Sequence, residues 1–190
     1  MAVLSRGRHF IVVLATCACL PGSLVVAQPD RLTESEIKAG FLYNFTKFVE
    51  WPPETFANPK APFVLGVIGA NPFGDLLIDA AAGKIVDGRA VLIKQFSYEE
   101  DFAACQILFV SSSETKRTAQ ILDKLKGASV LSVGEGDAFT QAGGMIAFII
   151  EGDKVRLAIN LEAALAARIK ISAKVIAVAR LVGRQPQGRN

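Results

Sequence analysis

The stretch FVLGVIG at residues 63–69 decides the fold. It is a short, nearly continuous apolar run, rich in β-branched residues, that stops at a glycine. Such a run is the pattern of a strand buried on both faces, which is how parallel sheets use their strands. Outward from it the pattern alternates. Residues 73–82 read as a helix, 90–96 as a strand with partial alternation, and 106–110, inside CQILFVS, as a second buried strand. An amphipathic helix over 114–126 is closed by Gly127, and 130–133 is a fourth strand. Residues 145–150 and 154–160 flank Glu151-Gly152-Asp153, the composition of a hairpin turn. Two helices, 161–168 and 172–181, complete the reading. Strand–helix alternation around buried strands predicts an α/β domain. Its sheet is largely parallel, Rossmann-like and flanked by helices, with an antiparallel hairpin near the C-terminus and close to one sheet edge.

Upstream of the first strand lies the strongest helix signal, residues 33–50. Thr33 and Glu36 form a capping box, and Leu32 with Ile37 suits a hydrophobic staple. Ile37, Phe41, Phe45 and Phe48 recur at helical spacing with Leu42 and Val49 beside them, so one wide face is core. Trp51 precedes Pro52-Pro53, and a residue before proline avoids helical dihedrals, so the helix turns into an elbow there. A loop follows to about residue 62.

The N-terminus reads as an export signal. Arg6 and Arg8 precede an apolar run over residues 10–20, and Val25-Val26-Ala27 offers a peptidase site, predicting removal of residues 1–27. An acylated cysteine at Cys17 or Cys19 and an uncleaved anchor fit less well, the apolar run being too short to span a bilayer. Removal takes His9, Cys17 and Cys19 with it. The expected mature domain, residues 28–190, then holds no histidine and Cys105 as its one cysteine. That excludes Ser-His-Asp and Cys-His nucleophile pairs, His-ligated metal and an intramolecular disulfide.

The remaining motifs offer no chemistry. Gly66-Val67-Ile68-Gly69 is not a dinucleotide fingerprint, and the run from Gly69 to Gly74 reads as a strand-to-helix turn. Glu99-Glu100-Asp101 reads as a solvated loop, and Ser111-Ser112-Ser113, with no activating base beside it, as a helix cap. Cys105 opens a buried strand and reads as a core thiol. The expectation is a non-enzyme without cofactor or metal.

Binding surfaces are better supported. Tyr43 and Lys47 lie one turn apart on the helix face opposite the phenylalanines, next to the Trp51-Pro52 elbow. The two readings of this face, a recognition surface or a cover for the sheet edge, stay level. From Arg168 onward the chain has six basic residues and no acidic one, whereas residues 28–167 carry 13 basic against 18 acidic. A basic end suits an acidic partner or anionic headgroups, and Lys170, Lys174 and Arg180 are placed on one C-terminal helix in support of the elbow. Export removes the protein from nucleic acid. A second reading is a small-ligand or anion site at strand ends, built from Gly69, Ser111, Arg156 and Asn160.

At the elbow, KAGFLYNFTKFVEWP (residues 38–52) resembles the YfiR family, small periplasmic proteins whose first helix runs "KAxFLYNFxKFxxWP". The resemblance continues through Gly69 with Asn71-Pro72-Phe73-Gly74, Gly88-Arg89, and Cys105 with Ile107-Leu108-Phe109-Val110-Ser111. Further matches are Val130-Leu131-Ser132-Val133, Phe139 with Gly143-Gly144-Met145-Ile146, Arg156 with Ile159-Asn160, and Ala163-Ala164. It implies a compact α/β fold without catalytic activity. It also implies repression of an inner-membrane diguanylate cyclase through the cyclase's periplasmic sensor region, and so control of cyclic di-GMP and biofilm. An outer-membrane lipoprotein that sequesters the protein is a further implied partner, and a homodimer is left open. The alternative is a periplasmic small-ligand-binding sensor module acting on another membrane signalling protein. Family members carry disulfides. Here Cys105 stands alone, and Val64 occupies the first-strand region where a partner cysteine is expected.

Overall fold

The computed structural model describes residues 32–183. The expected signal over 1–27, with its cleavage site after Ala27, lies outside the described residues, as do Arg184 and Arg189.

Helix α1 (Glu34–Phe48) starts at the capping box: Thr33 accepts from the Glu36 amide, and the Glu36 carboxylate accepts from the Thr33 amide and hydroxyl. Those donors hold the Glu36 carboxyl below its ordinary pKa, the amide contributing most. In chain order there follow β1 (Val49–Glu50), β2 (Phe63–Ile68), α2 (Leu76–Ala81), β3 (Ile85–Val86), β4 (Arg89–Phe96) and β5 (Ile107–Val110). The second half comprises α3 (Thr118–Lys124), β6 (Leu131–Glu135), α4 (Asp137–Gln141), β7 (Ile146–Glu151) and β8 (Lys154–Asn160). It ends with α5 (Leu161–Ala166), β9 (Lys170–Ile171), α6 (Ala173–Ile176) and β10 (Ala179–Val182).

The main sheet runs β10-β8-β7-β6-β5-β2-β4-β3. Its core from β4 to β7 is parallel, β7 and β8 form the expected antiparallel hairpin, and β10 runs parallel to β8. The α/β reading therefore holds. Alternation divides the core in two. Ile107 and Phe109 face α1, α2 and Val175 of α6, whereas Leu108 and Val110 face Ile121 of α3 and Phe139 of α4. Phe139 is gripped by two glycines, since a β-carbon on Gly134 or Gly144 would stand 2.4 or 2.2 Å from its ring.

Several expectations need correction. Helix α1 stops at Phe48, two residues early, because Val49 and Glu50 are extended and pair with Ile171 and Lys170 of β9. Its buried face is rotated from the phenylalanine stripe: Lys38, Ala39, Leu42, Phe45 and Thr46 are buried, Phe41 and Phe48 only half so. Leu32 stays 67% exposed, so it does not act as a staple. The helix over 114–126 opens as a 3-10 segment and is α-helical only over Thr118–Lys124. The helix expected over 73–82 is confined to Leu76–Ala81, and that over 161–168 ends at Ala166.

The largest correction is at the C-terminus. Of the helix expected over 172–181, only Ala173–Ile176 is helical, and Ala179–Val182 is a strand. The flank of β8 away from β7 has free backbone donors and acceptors, and residues 179–182 satisfy them as β10. The hairpin is thus one strand in from the edge, and Lys170, Lys174 and Arg180 share no helix. Three further features have no counterpart in the sequence reading: β9, α4, and the β3–β4 hairpin, whose Asp87-Gly88 turn takes φ of 49° and 76°. Positive φ at both positions is what a two-residue hairpin requires.

Candidate functional site

The elbow after α1 is where the predicted residues converge. Trp51 leaves β1 edge-on to Phe63 of β2, with ring centres 4.9 Å apart. Its indole N–H donates to the backbone carbonyl of Gln106 at 3.0 Å, and that same carbonyl accepts from Leu131 at 2.8 Å. Gln106 is itself buried, its side-chain oxygen accepting from the Val64 amide at 2.7 Å. The tryptophan is thus tied to the starts of β5 and β2 while part of its surface stays open. A tryptophan so anchored has few rotamers left to lose on binding.

Two clefts flank it. The larger, about 650 Å³, is lined by Lys47, Trp51, Phe56, Phe63, Asp87 and Arg89, among others. Arg89 closes its floor: the guanidinium stacks 3.9 Å above the Phe56 ring and donates to the carbonyls of Asn58 and Ala61 at 2.9 and 2.8 Å. The smaller, about 380 Å³, lies between Glu50, Trp51, Pro52 and Pro53 on one side and Arg168 and Lys170 on the other. Arg168, at φ 58°, reaches Glu54 at 2.5 Å. The Glu54 backbone amide, followed by Arg168, holds the Glu54 carboxyl below its ordinary range. One aromatic wall is therefore bordered by cations and carboxylates together, which suits a zwitterionic or mixed-charge contact rather than a plain anion.

Lys47, Trp51, Pro52 and Lys170 therefore meet at one elbow, although Lys170 arrives on β9 and not on a helix. Tyr43 sits one turn back, half-buried, with Lys47 Nζ 4.4 Å above its ring. Lys174 lies elsewhere, on α6 near Phe41, Phe48 and Val178. Arg180 points from β10 to Asp137 at the start of α4. Sequence reasoning missed Arg89, Phe56 and Asp87 as site residues; the Asp-Gly dipeptide at 87–88 was the available signal.

The four residues of the strand-end reading divide into two places. Gly69 and Ser111 end the neighbouring strands β2 and β5, and the Ser113 hydroxyl, beside that of Ser111, accepts from the Ala70 amide at 2.9 Å. Gly69 (φ 88°) admits no side chain, since a β-carbon would stand 2.5 Å from that hydroxyl. Arg156 and Asn160 are on β8, three strands from Ser111, about 14 Å at the usual strand spacing. Asn160 caps α5 by accepting from the Ala163 amide at 3.1 Å, while Arg156 is exposed.

Two buried groups complete the inventory. Cys105 is fully buried, and burial pushes its thiol up to about 12. Lys38 is 7% exposed and contacts both Glu34 and Glu135, the latter at 2.5 Å. Among the described residues no cluster of three or more His, Cys, Asp or Glu is placed to hold a metal ion, and no helix is long and apolar enough to cross a membrane.

The profile of a family described as YfiR/HmsC-like matches residues 35–180. No curated protein matches the chain significantly. A conserved domain protein from Vibrio cholerae is similar in structure at 13% identity and a TM-score of 0.54, over 80% of this chain and 61% of that one. A Streptococcus domain, described as an ABC domain in complex with L-Trp, is similar at 11% identity and a TM-score of 0.53, over 76% and 60%. This chain thus spans about three fifths of each of those two, and likenesses at such identities concern the fold alone.

Proposed function

Because the chain belongs to the YfiR/HmsC-like family, we propose that it is a non-enzymatic periplasmic regulator that binds and represses the periplasmic sensor region of an inner-membrane diguanylate cyclase. Repression lowers cyclic di-GMP and biofilm formation, and an outer-membrane lipoprotein would relieve it by sequestering the regulator. The observation that carries this reading is the extent of the family match, from the first turn of α1 into β10. The anchored elbow supports it as a contact surface, with Tyr43, Lys47, Trp51, Pro52 and Lys170 as the contacting residues. Deleting the gene should raise cyclic di-GMP and biofilm. In a pull-down with the cyclase's periplasmic region, Lys47→Glu should weaken binding about tenfold while circular dichroism stays unchanged. Unchanged cyclic di-GMP on deletion would overturn the reading.

A small-ligand sensor is the second reading, favoured by the 650 Å³ cleft with its Trp51, Phe56 and Phe63 wall between Lys47, Asp87 and Arg89. Thermal-shift screening of zwitterionic aromatic metabolites separates the two. A ligand at a hundredfold excess over its Kd stabilises the fold by about 2.7 kcal/mol. An Arg89→Ala variant that keeps the full shift would place the ligand elsewhere.

A further inference from the structure

Strand β10 ends the main sheet, so one of its flanks presents backbone donors and acceptors with no strand against them among the described residues. An open edge is a template for pairing with another chain. The two faces at this edge differ in chemistry. Ala179 and Leu181 are in register with Leu157 and Ile159 and share their face, toward α1. That side is mostly apolar: Leu181 is 53% exposed and Val178 60%, and Val178 lines a groove of about 160 Å³ with Phe41, Phe48 and Lys174. Arg180 is in register with Ala158 and faces the other way, on the side that carries Arg156 of β8. These two cations are diagonal neighbours on adjacent strands, about 7–8 Å apart along the sheet. Arg156 makes no ion pair among the described residues, and Arg180 is held by Asp137 alone.

We propose that the β10 edge takes up an extended acidic segment of a partner protein as an additional strand, its apolar residues beside Leu181 and Val178 and its alternating carboxylates beside Arg180, with Arg156 one strand further in adding to the positive field on that face. The sign of the charge selects this occupant. From Arg168 to the last residue the chain has six basic residues and no acidic one. A second copy pairing through β10 would therefore set arginine against arginine, and residues 184–190 of this chain, with Arg184 and Arg189, carry the same wrong sign. The segment names a chemistry for the partner of the regulatory reading and rests on that reading for its biological meaning. The test below uses neither the cyclase nor any cellular output, so the two can fail separately.

The probe is a labelled, end-capped octapeptide of alternating valine and glutamate, titrated against the purified chain by fluorescence anisotropy. Saturable binding is expected. Of two versions N-methylated on alternate residues, in opposite phase, one should bind at least about tenfold more weakly, because two or three backbone hydrogen bonds are lost while every side chain remains. Arg180→Glu should weaken the parent peptide about fivefold, and a valine–lysine peptide should not bind. The proposal is overturned by any of four results: no binding at about 1 mM peptide, equal binding of both methylated versions, a concentration-dependent dimer that excludes the peptide, or phosphatidylglycerol vesicles bound with the same Arg180 dependence.

Discussion

Truncating Phe148 to alanine is expected to destabilise the domain by about 4 kcal/mol. Phe148, on β7, is 2% exposed and lies where α1 meets the sheet. Its ring centre is 6.1 Å from that of Phe41, 6.4 Å from Phe45 and 6.4 Å from Phe109. One side chain thus joins the first helix to β5 and β7, and its loss opens a cavity that those neighbours, fixed to separate elements, cannot close. In urea the midpoint should fall by about 2 M at an unchanged slope. A fall under about 0.5 M would show that α1 is held by something other than this aromatic cluster.

Lys38→Ala should cost about 3 kcal/mol, because it leaves the carboxylate of Glu135 at the end of β6 half-enclosed with no cation. The Lys38 ammonium lies 6.0 Å from the Phe148 ring centre, so this change and Phe148→Ala will not be additive. Replacing the ion pair whole, as Lys38→Met with Glu135→Leu, should recover most of the loss, since an apolar pair of similar size avoids the desolvation of both charges. The pH dependence has a definite sign. Burial alone disfavours the charged lysine, but hydrogen bonds to Glu135 and Glu34 outweigh it, and its pKa ends above the ordinary value. A raised pKa means that its contribution is fully present at neutral pH and is lost as pH climbs from the ordinary lysine value through the folded one. The difference in urea midpoint between wild type and Lys38→Ala should accordingly be constant from pH 6 to about 9 and shrink above about 10.5. A difference that shrinks on acidification to pH 6 instead would assign the effect to a carboxylate.

How far the sequence could be read differs from element to element. Residues 63–69 and 106–110 announce buried strands because an uninterrupted apolar run is needed when both faces are covered, and both strands form. The capping box is local, four residues from end to end, and it forms as read. By contrast, residues 179–182 carry a pattern equally good for a helix, and their strand state comes from the flank of β8, whose partner residues lie over twenty positions earlier. The elbow was legible as a turn at Trp51-Pro52 and as a candidate surface, but its cleft with Phe56, Asp87 and Arg89 was not. Its indole bonds to a carbonyl 55 residues on, and its floor is Arg89, held by the loop carbonyls of Asn58 and Ala61.

The sequence by itself determined the parallel α/β class, the order of most of its elements and the start of α1, because hydrophobic period, capping chemistry and proline geometry act over a few residues. The tertiary structure alone decided which face of α1 is buried, that Lys38 lies inside beside a glutamate 97 residues away, and that the basic end of the chain becomes an edge strand instead of a helix. Each of those depends on satisfying a charge or a backbone group with a partner distant in sequence, and no local pattern specifies that partner.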